Sequence, residues 1–102
     1  MSKTIRFQVT LAAVILLASA VGFAQSGDAT YKAKCQMCHG AAGQGNAAMK
    51  VKPATDPSVK AMNQAAMVAA VKNGMGKMQP FAGKLPDAQI SAAVDYFRTF
   101  VK

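Results

Sequence analysis

The chain contains no tryptophan and no glutamate, and its 102 residues include only one histidine, His39, and two cysteines, Cys35 and Cys38. Two Cys and one His leave a structural zinc site one ligand short, with no second cluster to complete it. After Gln25 no segment alternates apolar and polar residues in the two-residue rhythm of a half-buried strand. A mixed-sheet, thioredoxin-like domain around a C-x-x-C redox pair is therefore not expected. A disulfide between cysteines this close would close a tiny loop and stabilise little of the fold. Negative charge is scarce as well: Asp28, Asp56, Asp87 and Asp95 face 12 basic residues, a net charge of +8.

The basic surplus begins at the N-terminus. Lys3 and Arg6 precede an apolar run from Leu11 to Ala18, closed by small residues at Ala18-Ser19-Ala20 and Gly22-Phe23-Ala24. This three-part layout is that of a secretory signal, with cleavage expected after Ala24. An uncleaved anchor would need about 20 predominantly apolar residues, whereas Phe7 to Ala24 offers 18 that include Gln8, Thr10 and Ser19. The expected organisation is a signal over 1–24 and one exported domain over 25–102, located in the periplasm with no stable membrane insertion after cleavage. Without Lys3 and Arg6, 10 basic and 4 acidic side chains remain, a net charge of +6.

A 78-residue remainder buries only about 60% of the surface its unfolded chain exposes, so its core needs a supplement. Cys35-Gln36-Met37-Cys38-His39 supplies the means. In C-x-x-C-H, two thiols one helical turn apart can form thioethers with the two vinyl groups of haem, and the adjacent histidine reaches the iron. One covalent haem c would then serve as both cofactor and core.

With no second histidine, the sixth iron ligand must be a lysine or a methionine. Met37 lies between the cysteines, and Met67 falls within a helical pattern as a core residue. Met49, Met62, Met75 and Met78 lie in or beside loops. The segment Asn73-Gly74-Met75-Gly76-Lys77-Met78-Gln79-Pro80-Phe81 has the glycines and proline of a shaped loop able to aim a side chain inward. On chemistry alone it favours Met78 over Met75 only modestly.

From Gly27 to the end the chain resembles the bacterial class I, monohaem cytochromes c. Gly27-Asp28-Ala29-Thr30-Tyr31-Lys32-Ala33-Lys34 and the following Cys35–Gly40 resemble that family's first helix and haem-binding turn. Met78-Gln79-Pro80-Phe81-Ala82-Gly83-Lys84-Leu85 resembles its axial-methionine loop, and Val94-Asp95-Tyr96-Phe97-Arg98 its last helix. The resemblance implies an all-α fold of about three main helices around the haem, His39 and Met78 as axial ligands, and electron transfer as the activity. It also implies that Gly27 lets the first and last helices cross closely, and that the Pro53 carbonyl accepts a hydrogen bond from His39 Nδ1. Gln79 between Met78 and Pro80, and Pro86 in place of a capping serine, depart from the family pattern.

The residues themselves place a first helix from about Gly27 into the Cys35–His39 turn. Pro53 and Pro57 break the middle segment. Asn63 is positioned to cap a helix through Lys72 that ends at Gly74. A last helix from Pro86-Asp87 carries the stripe Ile90, Ala93, Val94, Phe97 and Val101, extended by Tyr96 and Phe100. Lys32, Lys34, Lys50, Lys52, Lys60, Lys72, Lys77 and Lys84 are expected around the haem crevice, where positive potential would steer acidic redox partners or membrane oxidoreductase complexes. The expected protein is a soluble monomeric carrier of one electron, neither an enzyme nor a nucleic-acid binder. The alternatives are an electron-entry subunit of a larger respiratory oxidase or dehydrogenase, and a five-coordinate haem enzyme or gas sensor.

Overall fold

A computed structural model describes residues 26–102, so the expected signal over 1–24 and its cleavage point lie outside the described residues. Among the described residues five helices follow in order: α1 (Gly27–Lys34), α2 (Gln36–His39), α3 (Pro57–Lys60), α4 (Gln64–Asn73) and α5 (Asp87–Arg98), with a 3-10 turn at Ala47–Met49. Among the described residues the only β pairings are isolated bridges. The three longer helices, α1, α4 and α5, form the expected all-α frame.

Local chemistry sets each helix end. Asp28 lies in the first turn of α1 and Lys32 and Lys34 in its last, charges that complement the helix dipole. The expected continuous helix into His39 is broken at Cys35, whose backbone turns to φ −115° before α2 begins. Pro57 occupies the first position of α3, where its missing N–H costs nothing, and the Asp56 carboxylate accepts the Ser58 N–H at 2.9 Å. Asn63 caps α4 by accepting the Ala66 N–H at 2.8 Å, and Gly74 ends it, as expected. Pro86 stands just before α5, with Asp87 in the first turn.

Packing joins the two ends of the domain. α1 crosses α5, and α4 packs on α5. A Cβ built at Gly27 would overlap the Ala92 carbonyl, lying 2.7 Å from its carbon. Only a residue without a side chain permits that approach, as the resemblance implies. Beside the crossing, Tyr31 is buried, with ring centroids 5.3 Å from Tyr96, 6.2 Å from Phe97 and 5.8 Å from Phe100. Its hydroxyl donates to the Gly40 carbonyl at 2.6 Å. A second cluster, Met67, Phe81, Ile90 and Val94, joins α4 and α5 through the loop between them.

Two tests follow from the crossing. Gly27→Ala is expected to destabilise the holoprotein by about 1–3 kcal/mol through overpacking, lowering Tm by about 5 °C or more. An unchanged Tm would mean that the helices do not meet there. Burial, the largest cause, pushes the Tyr31 phenol up to about 12. Because the fold favours the neutral phenol, its stabilising contribution is complete below the unfolded value of about 10 and is lost as pH rises through about 12. Denaturant titrations from pH 9 to 12 should therefore show a steeper loss of stability in the wild type than in Tyr31→Phe; equal slopes would contradict the assignment.

Candidate haem site

A cleft of about 700 Å³ is lined by Cys35, Cys38 and His39 from the α2 turn and by Met78 from the loop after α4. Met67, Val71, Phe81, Ile90, Val94 and Phe97 supply apolar wall between them. The volume falls within the range of cofactor pockets, about 300–1,000 Å³. The stripe of α5 that the sequence marked as core is thus largely cleft wall.

The α2 turn is held from several directions. The Cys35 carbonyl accepts the N–H groups of Cys38 at 3.2 Å and His39 at 3.0 Å, and the His39 carbonyl accepts the Gly45 N–H at 2.8 Å. Together with the bond from Tyr31 to the Gly40 carbonyl, these contacts fix where the two thiols and the imidazole point. Both cysteines are half-buried free thiols, and burial pushes Cys35 up, with Cys38 nearby adding to the shift. Burial also holds His39 below the ordinary histidine value, in the neutral form that offers a lone pair to a metal. Its ring meets Phe97 edge-on, with centroids 5.5 Å apart.

The expected bond from His39 Nδ1 to the Pro53 carbonyl is not formed. Nδ1 is buried without a hydrogen-bond partner, while the Pro53 carbonyl accepts the Asp56 N–H at 3.0 Å. That bond closes the turn leading into α3, whose N-cap is Asp56. A buried, neutral, unpartnered imidazole beside two free thiols on an apolar wall fits the donor set that covalent haem requires. Among the described residues no three His, Cys, Asp or Glu side chains gather as a metal site.

The methionines separate by position. Met37 is 89% exposed, whereas Met67 is core, as expected. Met78 is half-buried and packs against the Met67–Phe81 cluster. Met49, Met62 and Met75 also line the cleft. Sequence reasoning missed Tyr31, Val51 and Val59 as cleft lining; the residues near Val51 gave no periodic signal by which to find it.

The lysine ring is smaller than expected. Lys34, Lys50, Lys52 and Lys77 line the cleft, and Lys84 joins Lys34 on an adjoining pocket beside Cys38. Lys32 and Lys72 are instead near Asp28 at 4.0 Å and Asp87 at 3.2 Å, and neither they nor Lys60 reach the lining.

Comparison with known proteins agrees with this geometry. A family model described as cytochrome c oxidase, cbb3-type, subunit III matches residues 22–97. The solved structure of KustC0563, a c-type cytochrome, is similar with a TM-score of 0.69 at 24% identity, over 76% of this chain and 100% of that one; at this identity the likeness concerns the fold. No curated protein matches the sequence. A family match spanning most of the domain, on a fold shared with a c-type cytochrome, leaves one conclusion: the chain belongs to the cbb3-type subunit III family and is a class I cytochrome c with covalently bound haem c.

Proposed function

We propose that the protein is a soluble periplasmic carrier of single electrons, exported by residues 1–24 and working as the monomeric domain 25–102. The observation that carries this is Met78, half-buried against the core and lining the same cleft as His39. In this reading Cys35 and Cys38 would hold the haem through thioethers, and His39 and Met78 would ligate its iron.

Haem c supplies a one-electron iron couple when bound. The chain's own residues decide what that couple is used for. His39 enters as a neutral donor, favoured by its burial. The Met78 thioether, a weaker donor than a second imidazole, favours the reduced state and raises the potential. With both positions filled there is no open site for oxygen or peroxide, which supports a carrier over an enzyme or gas sensor. Apolar walls from Phe81, Ile90 and Val94 exclude water around the ligands. Lys34, Lys50, Lys52 and Lys77 at the cleft provide positive potential to steer docking with acidic-surfaced redox proteins; nucleic acid has no part in this reading.

A second reading, an electron-entry subunit of a respiratory oxidase, is favoured by the description of the matching family. Among the described residues no helix is long and apolar enough to cross a membrane. Recovery of the mature protein, starting at Gln25, as a monomer in the periplasmic fraction supports the free carrier; recovery only with a membrane oxidase supports the subunit.

Axial ligation is tested by the spectrum of the oxidised protein. The red-edge band diagnostic of methionine on ferric iron should be present, Met75→Ala should leave it in place, and Met78→Ala should shift or remove it. Carbon monoxide should leave the reduced spectrum unchanged. A missing band with ready carbon monoxide binding would establish an open iron and overturn the carrier assignment.

A further inference from the structure

Met75 and Met78 stand opposite one another across a two-residue turn. The Met75 N–H donates to the Met78 carbonyl at 3.1 Å, and the Met78 N–H donates back to the Met75 carbonyl at 2.9 Å, an antiparallel bridge over Gly76-Lys77. Directly opposed residues in such a pair carry their side chains on one face, with Cβ atoms about 4.5–5.5 Å apart. That face meets the cleft, because both methionines line it. Met78 packs inward against the core, while Met75 remains 61% exposed at the rim. Two thioethers, both soft iron ligands, are thus held side by side where one coordination position is available. Core packing accounts for Met67 and Met78 but not for Met75.

The turn holds the Met75 backbone in place and leaves open space on one side of it. Gly74, at φ +79°, packs against the Met78–Pro80 backbone, where a Cβ would lie 2.7 Å from the Met78 carbonyl oxygen, whereas a Cβ at Gly76, at φ +57°, would meet nothing within 4 Å, so a change of aim falls to the Met75 side chain. Beyond the turn, the Phe81 N–H donates to Val71 at 2.9 Å and the Ala82 N–H to Lys72 at 3.1 Å. These bonds fasten the distal end of the loop to α4, so movement of Met75 need not loosen the helices.

We propose that Met75 is a reserve sulfur ligand, taking the sixth position whenever the Met78–iron bond is open. The proposal rests on the assignment of Met78 as the resident ligand. In this arrangement loss of Met78 does not open the iron to small molecules, because a second thioether is already tethered at the rim. The turn thereby protects the carrier from acquiring the chemistry of a five-coordinate haem.

The test compares oxidised holoproteins at pH 7 that all carry Lys77→Ala, so that its amine does not compete: this parent, and the parent with Met75→Ala, Met78→Ala, Met78→Leu or the pair Met75→Ala/Met78→Ala. The parent and its Met75→Ala form should share one methionine–iron band. At least one Met78 single variant should keep such a band at a shifted wavelength, and the double variant should lose it and bind carbon monoxide when reduced. Met78→Leu preserves side-chain volume against the core, so it decides the matter if the alanine variant unfolds. Absence of the band from both Met78 single variants would overturn the reserve role while leaving the Met78 assignment intact. A band unmoved in Met78→Ala but lost in Met75→Ala would instead overturn the assignment beneath it, and the reserve role with it.

Discussion

The fold depends on an apolar cleft occupying the place where a longer chain would keep its core. Ile90, Val94, Met67 and Phe81 are buried, yet the same four side chains line a volume of about 700 Å³. A domain this small gains little from its own side chains alone, so a large apolar group in that cleft contributes contact area on many walls at once. Covalent attachment suits this dependence, since a cofactor that is also the core cannot be lost without losing the fold.

Attachment alone would not orient the site. The backbone approach of Gly27 to Ala92 brings α1 against α5, and the same helix carries Tyr31, whose hydroxyl holds the Gly40 carbonyl just beyond His39. The helix crossing and the position of His39 are therefore coupled through one side chain. On the opposite branch of the chain, Asn63 starts α4 and Gly74 ends it, which delivers the methionine loop to the cleft. Electron transfer on a haem benefits from such double anchoring, because walls that stay in place as the iron changes charge keep reorganisation small.

Much of this was legible in the sequence wherever the cause was local. The C-x-x-C-H turn, the Asn63 cap, the Gly74 stop and the Pro86 start each depend on residues within a few positions of one another. Gly27 was legible only through family resemblance, since its constraint comes from Ala92 at the other end of the chain. The break at Cys35 escaped because nothing in the composition there opposes a helix; a change of backbone direction between Lys34 and Gln36 separates α1 from the haem turn. The bond expected from His39 to Pro53 is not formed, the Pro53 carbonyl instead closing a turn at Asp56, and Lys32, Lys60 and Lys72 lie outside the cleft lining, Lys32 and Lys72 beside Asp28 and Asp87, contacts that order along the chain does not reveal.

The central claim is that one haem is bonded to the chain through Cys35 and Cys38, and intact-mass measurement of the exported, purified protein tests it most directly. After denaturation and acidified-solvent extraction, the account predicts that the mature chain retains the mass of one haem. Replacing either cysteine with alanine should leave attachment through one thioether, and replacing both should leave none. A chain that releases its haem on extraction, or matures without any, would contradict the account.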